Sequence, residues 1–438
     1  MTHDSKPRFS VIIPAKDRAE YLIHTLRTCT LQTYENLEVF VSDDGSTDHT
    51  RDVVESAAKA DPRIHYLRPP CGGMRDNFEF ALSQVKPGYV LALGADDGLL
   101  PHGIAGMLQV LRDTGQEMLS WPAPVYSYAG ARGPGSQLLL YRKKGVRIVR
   151  SADFLRRQAE QLHYLSDLES PMFYVKGVVA THLVDRVKSR SPEGRFYVCS
   201  TPDGYSGVVL AGEVETYAFS GKPFSIYGLS PASQGMNYLA GGEKAKEQSE
   251  SFFRKAAQLP MHAELASQPY SPLIALMTAD YLYTARDLPG WPGKFPDIDF
   301  RLLIEKSLAE LEHGLYSESR LGRELNILCA IAESKGLIEH FRRCLAGSRR
   351  FVAKDHFSGN GISPSAVFFD GQRFGLRDIV DAAYFAYLAH EAGPQLSLGT
   401  AWGALRNSLQ FRLRSMKRAG PMPAESSWRV PASSGAAD

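Results

Sequence analysis

Two short acidic turns stand out for the chemistry their residues allow. Asp43-Asp44-Gly45 and Gly94-Ala95-Asp96-Asp97-Gly98 each follow a run of apolar residues. Hard divalent cations take oxygen ligands, often one or two carboxylates completed by phosphate oxygens and water. Asp96 and Asp97 suit that role, and Gly94 and Gly98 let the backbone turn sharply and leave room for a diphosphate. A carboxylate at Asp43 or Asp44 could accept a hydrogen bond from a base N–H or a ribose hydroxyl. Asp-Asp-Gly is also ordinary turn chemistry, with an aspartate capping the next helix. One such turn alone favours that plainer role; two in one α/β unit favour a shared site.

The elements that would hold these turns are legible around them. Residues 9–14 are a short, β-branched run stopped by Pro14, which predicts a buried strand. Leu22, Leu26 and Cys29 recur at helical spacing over 18–30. Residues 37–42, 63–67 and 89–93 predict three more strands, with helices over about 48–58 and 78–84 between them. Strands separated by helices imply right-handed crossovers and a mostly parallel sheet. Ligands of such sheets sit beyond the carboxyl ends of the strands, where both acidic turns fall.

After about Gly235 the texture becomes helical. Phe300, Leu303, Ile304, Leu308 and Leu311 form one apolar stripe, and 320–332, 337–345 and 376–391 predict further helices. The expected organisation is a nucleotide-binding domain over 1–235, a helical domain over 236–400, a basic amphipathic helix over 401–420 and a disordered tail over 421–438.

Composition sets bounds on function. The 438 residues carry a net charge of +2, which gives no electrostatic case for a nucleic-acid partner. Five cysteines, odd in number and never spaced C-x-x-C, argue against a zinc site or disulfide framework and for a reducing compartment. The polar Met1–Arg8 leads straight into a strand, so no secretory signal is expected.

Ser10-Val11-Ile12-Ile13-Pro14 followed by Asp17-Arg18-Ala19-Glu20-Tyr21-Leu22 resembles the opening of the family 2 inverting glycosyltransferases, as do Gln32–Val39 and Val41–Asp48. The stretch YVLALGADDGLLP (89–101) is similar to the strand that bears the family's D-x-D metal motif. Ser200-Thr201-Pro202-Asp203-Gly204-Tyr205 and Ile226-Tyr227-Gly228-Leu229-Ser230 resemble later segments, so the likeness covers about residues 8–235.

The resemblance implies a GT-A fold, α/β and Rossmann-like with helices on both faces of the sheet, followed by a mainly α-helical C-terminal domain. It implies Mn²⁺ or Mg²⁺ at Asp96, with Asp97 beside it, and Pro14, Lys16, Asp43 and Asp44 around the nucleoside of a donor. Gly94 stands where the family has the first aspartate of D-x-D. Asp203 is the candidate general base, with a helix N-cap as its plainer role. Arg75 could reach the diphosphate as a guanidinium, or be a solvated loop cation; Asp76 separates it from the asparagine it usually precedes.

The implied activity is transfer of a sugar from a UDP-sugar, with dTDP-sugar as the alternative, to a glycan or lipid-linked acceptor in bacterial surface polysaccharide synthesis. With no secretory signal and no apolar run of the roughly 20 residues that span a bilayer, the expected setting is cytoplasmic, either free or peripheral on the inner face of the membrane. A non-catalytic nucleotide-sugar-binding protein and a sugar nucleotidyltransferase are the rivals. The latter normally has a glycine-rich basic loop after the first strand, and 14–18 contain no glycine.

Two basic stretches remain. Tyr141–Arg150 (YRKKGVRIVR) fits a charged edge strand that resists aggregation, or a surface for acceptor phosphate or membrane. Trp402–Arg418 places Trp402, Leu405, Leu409, Leu413 and Met416 at helical spacing among five cations. That pattern fits either a helix docked on the second domain or one lying on an anionic membrane. Self-association through the helical domain is also open.

Overall fold

The computed structural model describes residues 6–70, 72–233, 250, 252–256, 258–312, 316–351, 357–392, 398–415 and 419–429. Its first hundred residues build the parallel half of an eight-stranded sheet. Strand β1 (Phe9–Ala15) pairs in parallel with β2 (Leu37–Asp43) and with β4 (Tyr89–Ala92), and β2 pairs in parallel with β3 (Ile64–Leu67). The side chains of β1 alternate between two cores: Phe9, Val11 and Ile13 enter one, Ile12 the other. Both faces are covered because apolar strand residues must be buried on each side. Helices α1 (Ala19–Thr30), α2 (Thr50–Ala60) and α4 (Gly103–Thr114) supply Leu22, Leu26, Val54, Ile104 and Met107 to one face, and α3 (Met74–Ser83) supplies Phe78 to the other.

Beyond β4 antiparallel pairs enter, but the sheet stays mostly parallel as expected, with only β10 and β9 reversed. The order is β3-β2-β1-β4-β10-β6-β11-β9. Here β6 is Met118–Ser120, β9 is Val146–Arg150, β10 is Gly177–Ala180 and β11 is Thr216–Ser220. Strand β10 runs antiparallel to both neighbours, while β6 and β11 are parallel. The basic strand β9 is the last of the eight and lies at the sheet edge, as the charged-edge expectation requires. Helices α5 (Ser151–Gln161), α6 (Thr181–Arg190) and α7 (Asp203–Glu213) cover this half.

A second, six-stranded sheet was not foreseen. Its order is β14-β15-β8-β7-β12-β5. Its strands are β5 (Gly98–Leu99), β7 (Val125–Ser127), β8 (Gln137–Tyr141), β12 (Ser225–Leu229), β14 (Gly361–Ile362) and β15 (Ala366–Asp370).

Most described residues past 250 are helical, in α8 (Ile274–Arg286), α9 (Phe300–Leu311), α10 (Glu318–Ser334), α11 (Ile338–Gly347), α12 (Ile379–Ala392) and α13 (Leu398–Ser415). The stretch expected to be helical also returns β14 and β15 to the second sheet, and β13 (Arg349–Phe351) pairs with β16 (Ala419–Pro421). Among the described residues no seam divides the core near residue 235. Tyr205 and Val208 of α7, Leu276 and Tyr281 of α8, and Leu303 and Leu308 of α9 belong to one continuous apolar cluster.

The tail expected to be disordered from 421 is ordered to Arg429. Trp428 is buried against Phe341, with its ring centroid 6.2 Å away, and its indole N–H donates to the Pro423 carbonyl at 3.1 Å. An aromatic anchor outweighs the Pro/Ser/Ala composition that suggested disorder; 430–438 lie outside the described residues, as do 416–418 of the expected basic helix. Among the described residues no helix is long and apolar enough to cross a membrane.

Candidate active site

The parallel register brings the tips of β1 and β2 side by side, Ala15 opposite Asp43. The Asp44 N–H donates to the Ala15 carbonyl at 3.0 Å, which fixes the turn beside Pro14 and Lys16. The two aspartates then part company. Asp43 points inward and accepts from the Ser46 N–H and the Tyr66 hydroxyl, both at 2.8 Å, so it holds the turn. Asp44 opens on a cavity of about 1080 Å³, with Lys16 Nζ 3.6 Å from its Oδ2. Its Oδ1 accepts from the Gly72 and Gly73 N–H groups at 3.0 and 3.3 Å, tying the loop before α3 to the tip of β2.

Arg75, on the first turn of α3, also lines the cavity and is held by Asp76 at 3.3 Å; Asp76 in turn pairs with Arg195. Asn77, which sequence reasoning left without a role, fastens α3 to β2. Its amide donates to the Ser42 carbonyl at 2.9 Å and its oxygen accepts from the Ser42 hydroxyl at 2.5 Å.

The second acidic turn repeats the division with the order reversed. Asp97 is buried and faces inward, its carboxylate accepting from the Gly228 N–H at 2.7 Å and the Gly94 N–H at 2.5 Å. It clamps the turn to β12, and burial together with the neighbouring Asp96 pushes its carboxyl well above the usual range. Asp96 lines the cavity. Its Oδ2 accepts from the Ser230 and Ser233 hydroxyls at 2.6 and 2.8 Å, and Oδ1 takes neither bond. A carboxylate steadied on one oxygen, beside a cavity large enough for a diphosphate, fits a Mg²⁺ or Mn²⁺ site completed by phosphate and water.

Gly94 leaves no space for a second acid. A Cβ there would lie 2.7 Å from the Tyr174 hydroxyl and 2.8 Å from Asp97 Oδ2. Gly228 is equally constrained, because a Cβ would overlap the Asp96 carbonyl oxygen. A glycine inside a strand can mark such a close backbone approach, and that was the available signal for Gly228.

Asp203 is the first residue of α7, and Pro202 takes the cap position without a side-chain cap bond. The carboxylate accepts from its own backbone N–H and lines the same cavity. Burial pushes it up to about 6. Tyr164, Tyr174, Tyr227 and Tyr270 line the same cavity, and Tyr164 and Tyr281 pack against Gly204 next to it. A carboxylate of this kind is ionised at neutral pH yet basic enough to accept a proton.

Pro14, Lys16, Asp44, Arg75, Asp96 and Asp203 thus share one cavity, while Asp43 and Asp97 stand behind it as supports. Arg132 and Lys176 also line it and were not anticipated. Burial lowers Lys176 to about 8, and its ammonium donates to the Asp167 carbonyl at 2.8 Å.

Residues 10–162 match the model of glycosyl transferase family 2. A chondroitin synthase of Pasteurella multocida is 34% identical over 98 residues, 22% of this chain and 10% of that protein. The GalNAc(5)-diNAcBac-PP-undecaprenol beta-1,3-glucosyltransferase of Campylobacter jejuni is 33% identical over 105 residues, 24% of this chain and 34% of that protein. The chain therefore spans from a tenth to about a third of the length of these curated relatives. The solved structure of S. aureus TarS aligns with 81% of this chain and 57% of its own, at 16% identity and a TM-score of 0.42.

Proposed function

From the match of residues 10–162 to the model of glycosyl transferase family 2, we infer that the chain transfers a sugar, with inversion, from a nucleotide-diphosphate donor to an acceptor hydroxyl. The observation that carries this is the opening of Asp44, Asp96 and Asp203 onto one cavity. Pro14, Lys16 and Asp44 bind the nucleoside of a UDP-sugar or dTDP-sugar, and Arg75 faces the diphosphate. Asp96 holds a divalent cation, Mn²⁺ or Mg²⁺, which when bound supplies charge neutralisation to the departing diphosphate.

Asp203 takes the proton of the acceptor hydroxyl as its oxygen attacks the anomeric carbon from the side opposite the leaving group. The acceptor is a glycan or a lipid-linked sugar in bacterial surface polysaccharide synthesis, handled on the cytoplasmic side. The wide cavity supports an acceptor of that size.

A panel of nucleotide sugars in a thermal-shift assay, with and without Mn²⁺, identifies the donor, since a ligand bound to the native state raises the melting point. Metal-dependent donor turnover is then expected, lost in Asp96→Asn and Asp203→Asn. Gly94, which removes one acid from the metal motif, favours a binding protein without turnover as the second reading. Saturable donor binding with no turnover across an acceptor panel would select it.

A further inference from the structure

Helix α13 is mounted with its apolar ridge outward. Its small and polar side faces the body: Ala404 is buried, the Ser408 hydroxyl accepts from the Ile362 N–H at 3.0 Å, and the Asn407 amide donates to the carbonyls of Ser358 and Asn360 at 2.9 and 2.8 Å. Phe411 completes this contact, edge-on to Phe357 at 5.2 Å. On the opposite side Trp402, Leu405 and Leu409 recur at helical spacing and stand 70%, 39% and 51% exposed. A helix that only covered a core would have these sides exchanged.

In sequence, the charge in this segment has one sign. No acidic residue occurs between Glu391 and Glu425, while Arg406, Arg412, Arg414, Lys417 and Arg418 all lie in that span. The exposed apolar area is on the order of a few hundred Å², short of the roughly 800 Å² per partner that a stable dimer buries. It is the right size for interfacial insertion, and the cationic sequence that carries it matches an anionic surface.

We propose that α13 lies on an anionic lipid bilayer, with Trp402, Leu405 and Leu409 in the boundary between headgroups and acyl chains and the exposed Arg406 over the headgroups. The helix is anchored on β14, whose partner β15 contributes Phe368 to the cavity wall. Lipid contact and cavity therefore hang on one sheet. The proposal does not require the sugar-transfer assignment, and the two fail separately.

The test uses the full chain and vesicles of phosphatidylcholine with or without phosphatidylglycerol. Trp121, Trp291 and Trp428 are buried, so an exposed-tryptophan signal belongs to Trp402. Expected are co-sedimentation with anionic vesicles that weakens with salt, and quenching of tryptophan emission by brominated lipid. The combined Trp402→Ser, Leu405→Ser and Leu409→Ser variant should bind at least about tenfold more weakly with unchanged melting temperature and donor turnover. Should it fold poorly, Leu409→Asp alone is the second variant. Recovery in the supernatant at low salt, unimpaired binding by the variants, or self-association in solution that the variants abolish would each overturn the proposal.

Discussion

Replacing Asp203 by Asn should slow the reaction and stabilise the protein at the same time. Burial raises this carboxyl from 3.8 to about 6, so the native state binds its proton more tightly than the unfolded chain does. A raised acid of this kind destabilises the fold at every pH above about 6, and the penalty fades as pH falls toward 4. Two pH units correspond to about 3 kcal/mol. Because the carboxylate opens on a wide cavity, the recoverable part is nearer about 1–2 kcal/mol.

Asp203→Asn should therefore melt a few °C higher than the wild type at neutral pH, and the difference should vanish near pH 4. Transfer should fall by about 10²- to 10⁴-fold, the usual worth of a positioned general base. The wild-type rate should decline below about pH 6, and the residual rate of the variant should lack that acid limb. Calorimetry at two pH values and a pH–rate profile with a saturating donor check both halves. A variant that melts lower at neutral pH, or that keeps the acid limb, would refute the assignment of the base and of its buried charge.

Three other outcomes concern the acidic turns. Gly94→Ala should cost about 1–3 kcal/mol by crowding the Tyr174 hydroxyl, read by denaturant unfolding; unchanged stability would show that Tyr174 yields freely. Asp97→Ala should lower stability by about 1–3 kcal/mol by orphaning the Gly94 and Gly228 N–H groups. Asp96→Ala should instead spare most of the melting temperature and abolish the Mn²⁺-dependent shift. Chelation should stop donor turnover, and added Mn²⁺ should restore it; turnover that survives exhaustive chelation would remove Asp96 from metal binding.

The parallel strands were legible because a doubly covered strand writes a continuous apolar run, as at Val11–Ile13, and its crossover helix a spaced one, as at Leu22, Leu26 and Cys29. The second sheet was not, because its strands are two to five residues long and are drawn from 98–99, 125–141, 225–229 and 361–370. Pairing over such separations leaves no local period. The acidic turns were found, but their phase was not. Neighbouring side chains at a strand end point to opposite sides, and the cavity takes the second aspartate at 43–44 and the first at 96–97. Only the three-dimensional positions of Tyr66 and Gly228 decide which. Asp203 was recognised by likeness; the tyrosines that share its cavity, Tyr164, Tyr174, Tyr227 and Tyr270, follow no spacing that links them.

The late arrival of β15 has a bearing on synthesis. Translation delivers both acidic turns well before Phe368, which is part of the enclosure around them. A nascent polypeptide still emerging from the ribosome would carry every carboxylate of the site in an unfinished vessel. Competence is therefore deferred until Phe368, far downstream of both acidic turns, has been made.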